Sequence, residues 1–120
     1  MKKAIFAAGI LAVFTLSGCD FDLDDFLEAN PTNATVAQAK GLRDGSYVIL
    51  TGVIDAHLFG EYYSFSDSTG SVNVEIENSV WARAGINPAT LTFPVPFEIL
   101  GEVDKEPGGV TIEAERVKML

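Results

Sequence analysis

After Gly45 the apolar pattern of this chain changes period from about 3.6 residues to 2, and the alternation then recurs in five stretches up to the C-terminus. Such stretches bury one face and wet the other, so residues 46–120 must form a sheet that covers its own apolar side. "SYVILTGVIDAHL" sets Val48, Leu50 and Ile54 on one face, with Gly52 where a fourth side chain would point inward. "EYYSFSD" puts Tyr63 and Phe65 inward, "DSTG" is a hairpin turn, and "SVNVEIE" returns with Val72, Val74 and Ile76. "NSVWARAGINPAT" breaks the alternation with a helical turn around Trp81. "FPVPFEILGEVD" and "GVTIEAERVKML", joined by "KEPGG", supply the last two strands. Pro94 and Pro96 confine the beginning of the fourth strand to an edge or a first position.

This order of elements fits an all-β, five-stranded OB-fold barrel, with a helical turn between strands three and four. A five-stranded sandwich is the alternative. Gly52 and Gly101 interrupt apolar faces in the first and fourth strands, where bends would fit, and the pair favours closure into a barrel. A short N-terminal helix precedes the strands. Thr35 and Gln38 form a capping box, Val36, Ala39 and Leu42 give a narrow apolar stripe, and Gly45 can end the element.

The segment before residue 34 is of another kind. "MKK" followed by the apolar run from Ala4 to Leu16 reads as an export signal, shorter than the roughly 20 residues that span a bilayer. It ends at "LSGC", which resembles the lipobox of bacterial lipoproteins. That resemblance implies a signal peptide over residues 1–18 cleaved before Cys19, a diacylglyceryl group on its thiol, and membrane anchoring through lipid. Residues 19–33 then form a lipidated, acidic tether, and residues 34–120 the OB-fold domain. The tether holds five acids and no basic residue. Phe21, Leu23, Phe26 and Leu27 leave a second reading open, in which this stretch docks on the domain or a partner. One cysteine excludes an internal disulfide.

"TVAQAKGLRDGSYVILTGVI", "YYSFSDSTGSVNVEIENSVW" and "FEILGEVDKE" through "VTIEAERVKML" resemble the bacterial OB-fold family of YgiW/YdeI-type periplasmic stress-tolerance proteins. The resemblance covers residues 34–120. It implies an exported OB barrel preceded by a helix and a part in survival under stress. The ligand it implies is a small charged molecule or cell-wall fragment, with no catalytic motif. The lipobox departs from the family's plain soluble members. A periplasmic, membrane-held location follows, and Asp20 after the cysteine, associated in enterobacteria with inner-membrane retention, favours the inner membrane over the outer.

OB-folds usually bind ligands on the outer face of strands two and three. The candidate set is Tyr62, Ser64, Ser66, Asn73, Glu75 and Glu77, with His57 and Phe59 contributed by the loop "HLFGE" and a further flank in "KEPGG". Glu75 and Glu77 lie on one side of a strand about 6–7 Å apart, with Asp55 and His57 within possible reach. Such carboxylates could hold a hard divalent cation or attract a cationic peptide; equally, they could form a solvated face that keeps the protein soluble. Whether a metal binds stays open, and no cofactor is expected. Trp81 is either a plug at one barrel end or a platform for stacking a sugar.

Charge excludes one class of partner. The chain has 17 acidic and 8 basic residues; without Lys2 and Lys3, 17 acids face 6 bases, a net charge of −11. The candidate strands carry no Lys or Arg, so nucleic acid is not an expected ligand. Covalent catalysis needs a nucleophile beside a base; Cys19 is taken by lipid and there is a single histidine. The expected function is a non-catalytic, membrane-anchored binding module for a cationic ligand or peptidoglycan fragment. The alternative is an interaction module that docks on an envelope protein.

Overall fold

The alternation that begins at Val48 becomes strand β2 (Tyr47–Phe59) in a computed structural model that describes residues 30–120. The leader, Cys19 and the tether aromatics lie outside the described residues. Strands β3 (Tyr62–Asp67), β4 (Gly70–Glu75), β5 (Val95–Glu106) and β6 (Gly109–Met119) follow. Neighbours run in the order β2-β3-β4-β6-β5, and β5 pairs again with β2, which closes the sheet. All contacts around the ring are antiparallel except β4 with β6. This is the OB-fold barrel expected from the strand order, not the sandwich.

The barrel interior is filled by the alternating residues: Val48, Leu50 and Ile54 of β2, Phe65 of β3, Val74 of β4, Phe97, Ile99 and Val103 of β5, and Ile112 of β6. Gly52 and Gly101 permit close approach between strands. A Cβ at Gly101 would sit 2.6 Å from Ile112 Cγ2 and 2.8 Å from the Glu113 carbonyl oxygen, and one at Gly52 would overlap the Ser66 carbonyl oxygen. Each glycine is thus required by a neighbouring strand's backbone, a more specific reason than a bend.

The excursion between β4 and β5 is helix α2 (Asn78–Ala84) followed by a 3-10 turn at Pro88–Thr90. Helix α2 buries Val80 and Trp81. The Trp81 ring meets Tyr63 and Phe97 edge-on, at centroid distances of 5.5 and 5.7 Å, and is 1% exposed. It is a core plug; a sugar could not reach it to stack.

At the N-terminal side, Thr32 and Asn33 form a two-residue strand, β1, parallel to β2 and opposite Val48 and Ile49. The fold therefore takes in two residues assigned to the tether by sequence. Helix α1 (Val36–Lys40) follows with both halves of its capping box made. It ends at Gly41 rather than Gly45, and Leu42 packs on the core from the turn beyond it.

The β3–β4 turn completes the helix start. Asp67 Oδ2 accepts the Val36 N–H at 2.9 Å and Thr69 Oγ1 accepts the Ala37 N–H at 3.0 Å. Asp67 Oδ1 in turn accepts the Thr69 N–H at 2.8 Å. Thr35 Oγ1 accepts from Gln38, so the orphan donors of the first helical turn are taken by one turn and one cap. "TVAQAK" and "DSTG", about thirty residues apart in the chain, are one structural unit.

Candidate functional site

The register of β3 against β4 places Tyr62 opposite Glu75, Ser64 opposite Asn73 and Ser66 opposite Ser71. Val74 and Phe65 between them are buried, so these three pairs stand together on the outer face. Five of the six face residues expected from the sequence are thereby brought together, and Ser71 joins them. Glu77 is not on the strand: β4 ends at Glu75, and Glu77 is the residue before α2. His57 and Phe59 belong to the end of β2 rather than to a loop, because the β2–β3 connection is a tight turn at Gly60–Glu61.

The acidic cluster has a different membership from that expected. Carboxylate oxygens of Glu61, Glu75 and Glu77 all lie within 4.8 Å of one another. Glu61 takes the place offered to Asp55 and His57. The His57 Nε2 is engaged with the Gly60 carbonyl oxygen at 2.8 Å and its ring stacks on Tyr63 at 4.7 Å. Glu61 is positioned by its own backbone, whose carbonyl accepts the Ile76 N–H at 2.8 Å and ties the turn to the end of β4.

The strand register extends this cluster around the barrel. Glu75 pairs with Glu113 of β6, Glu113 with Glu102 of β5, and Glu102 with Tyr47 of β2. A ladder of Tyr62, Glu75, Glu113, Glu102 and Tyr47 therefore crosses all five strands, from the far end of β2 at Phe59 to its beginning. No basic side chain stands among these five positions. Like charges directly opposite on neighbouring strands repel, and the ionisation behaviour shows it. Glu113 is pushed up to about 7 by burial, by its hydrogen bond to Asp104 and by the charges of Asp104, Glu102 and Glu75. Glu75 is raised by burial and by Glu61, Glu77, Asp104 and Glu106. The Tyr62 hydroxyl is raised chiefly by the Glu75 charge.

Between α2 and the strands runs an open cleft of about 400 Å³, lined by Glu75, Glu77, Glu113 and Glu115 with Ser79 and Arg83. Arg83, which donates to the Glu115 carbonyl oxygen at 2.7 Å, brings one positive charge against four glutamates and so does not neutralise the cleft. The arrangement can concentrate cations and offers hard oxygen donors.

The sequence pattern of the family described as bacterial OB fold (BOF) protein matches residues 17–119. The chain belongs to the BOF family. This BOF protein is 36% identical over 89 residues to Protein YgiW of Escherichia coli K12, an alignment that covers 74% of this chain and 65% of YgiW. It is 35% identical to the calcium-regulated OB-fold protein CarO of Pseudomonas aeruginosa, over 77% of this chain and 75% of CarO. The solved structure of E. coli YgiW superposes with a TM-score of 0.61 at 32% identity, covering 76% of this chain and 90% of that one. A replication protein A heterotrimer bound to single-stranded DNA matches at a TM-score of 0.58 and 14% identity, over 76% of this chain and 81% of that one, a likeness of fold alone.

Sequence reading missed Glu61, Glu102, Asp104 and Glu113. Glu61 had a local signal, its place in the turn one residue before Tyr62. The others depend on how β6 is set against β4 and β5, which no spacing within a strand reveals.

Proposed function

We propose that this protein is a non-catalytic binding module of the bacterial envelope, lipid-anchored through Cys19 in the periplasm, that takes a small cationic ligand on its acidic face and so contributes to stress tolerance. The observation that carries this reading is the approach of the Glu61, Glu75 and Glu77 carboxylates to within 4.8 Å, beside a cleft lined by two further glutamates. Burial first, and then the charges of neighbouring carboxylates, raise Glu75 and Glu113, and a cation would relieve the repulsive part. Oxygen-only donors suit calcium or magnesium, and an open acidic groove suits the ammonium groups of a polyamine or of a peptidoglycan fragment. The calcium-regulated relative makes calcium the first ion to test. The absence of basic side chains from β3 and β4 speaks against nucleic acid. The single histidine, already engaged by Gly60, gives no support to acid–base catalysis.

The test is thermal unfolding of the full-length Cys19→Ser chain with calcium, magnesium, spermidine or muropeptides. At least one should raise Tm, and the rise should vanish in the Glu75→Gln/Glu77→Gln variant. No rise with any of them, or a rise indifferent to the variant, removes the reading. Anchoring is tested separately by labelling with a fatty-acid probe. A wild-type chain that stays unlabelled and soluble, unchanged by Cys19→Ala, contradicts it.

A further inference from the structure

Leu58 and Phe59, at the tip of the β2–β3 hairpin, neither fill the barrel interior nor offer a ligand atom to a cation. Phe59 is 67% exposed and Leu58 44%, although Leu50 and Ile54 of the same strand are fully buried. Phe59 packs across the hairpin on Tyr62, with ring centroids 5.4 Å apart. The turn that presents them is braced on both sides. His57 bonds to the Gly60 carbonyl and stacks on buried Tyr63, and the Glu61 carbonyl is held by the Ile76 amide. An aromatic pair held in advance loses little freedom on binding, and exposed aromatics on a rigid turn have the character of interface anchors. Around them stand Glu61 within the turn, Glu75 opposite Tyr62, and Glu77.

We propose that this tip is a docking surface for a basic amphipathic segment of another protein, which sets an apolar side chain against Leu58, Phe59 and Tyr62 while its lysines or arginines meet Glu61, Glu75 and Glu77. Charge complementarity selects this occupant. A second copy would bring the same glutamates face to face, and an anionic bilayer would be repelled by them. The chain's own residues 20–33 carry five acids and no base, so these glutamates would repel them too. The inference goes beyond the cation site, since it uses the glutamates as charges and adds an apolar anchor that no ion would need.

The experiment measures binding of a fluorescent Leu/Lys amphipathic helical peptide to the full-length Cys19→Ser chain, with oligolysine and a Leu/Glu amphipathic peptide as controls. The Leu/Lys peptide should bind more tightly than oligolysine, and the Leu/Glu peptide should not bind. Phe59→Ser should weaken the Leu/Lys peptide about tenfold or more, the scale of an aromatic anchor, while leaving oligolysine binding and Tm unchanged. Glu61→Gln should weaken both basic ligands. Unchanged Leu/Lys affinity in Phe59→Ser overturns the proposal. So does a Phe59-dependent dimer in sedimentation, or Phe59-dependent binding to phosphatidylglycerol vesicles. A rise in Tm with calcium, magnesium, spermidine or muropeptides should be the same in Phe59→Ser as in the parent, so failure of the cation reading and failure of this one are told apart.

Discussion

The join between "TVAQAK" and "DSTG" is made by Asp67 directly and by Thr69, which Asp67 holds in place, and Asp67→Asn tests it. Asp67 uses both oxygens: Oδ2 holds the Val36 amide and Oδ1 holds the Thr69 amide and hydroxyl. An asparagine keeps one acceptor and turns an NH2 toward the other N–H, so one of these bonds must be lost. Hydrogen bonds to a charged acceptor contribute about 1.5–3 kcal/mol each, and loss of a helix cap costs about 0.5–2 kcal/mol. A net loss of about 2 kcal/mol is expected, equivalent to a Tm lower by roughly 8–16 °C for a domain of this size. The sign with pH follows from the charge. Burial raises the Asp67 carboxyl, but the bonds from Thr69, Val36 and Gly70 outweigh it and hold the group below its ordinary value. The stability it supplies is therefore complete above the usual aspartate range and is lost as pH falls through the depressed value. Thermal unfolding of the full-length Cys19→Ser forms of wild type and variant, measured from pH 7 downward, should show the gap in Tm closing in acid. Amide exchange at Val36 and Ala37 should speed up in the variant at pH 7. A gap below about 0.5 kcal/mol at pH 7, or one that persists unchanged in acid, refutes the assignment.

Three other outcomes follow from the same geometry. Glu113→Gln should stabilise the protein above pH 7: the native state holds a proton there that the unfolded chain releases between its ordinary 4.5 and about 7, so wild-type stability falls as pH rises through that window. Solvent screening reduces the gain to about 1 kcal/mol; a variant with equal Tm gains at pH 4 and pH 8 would show the effect is not charge. Gly101→Ala places a methyl 2.6 Å from Ile112 Cγ2 and should cost about 1–3 kcal/mol by urea titration, with an unchanged midpoint refuting the close approach. Trp81→Ala empties the plug between Tyr63 and Phe97 and should cost about 3–5 kcal/mol; a loss under about 1 kcal/mol would mean the barrel end is closed by something else.

What the sequence disclosed and what it withheld divide along one physical line. Alternation reports which side of a strand is wet, and it correctly put Val48, Leu50, Ile54, Phe65 and Val74 inside and Tyr62, Ser64, Asn73 and Glu75 outside. Local hydrogen bonding is equally legible, as the Thr35–Gln38 capping box shows. Alternation says nothing about shear, the offset at which one strand is laid on the next. Glu75, Glu113 and Glu102 come from three strands and meet only because β4 is set on β6, and β6 on β5, at one particular register. The same holds for Asp67, which reads as a turn former and in fact also accepts the first amide of a helix 31 residues earlier. Register in a closed barrel is fixed collectively, by the interior side chains and by contacts such as Gly101 on Ile112 and Glu113. The carboxylates repel one another, so the register that assembles the acidic ladder is imposed by the core against local electrostatics. A surface arrangement that the fold sustains at a cost is where a ligand or partner of opposite charge has the most to offer.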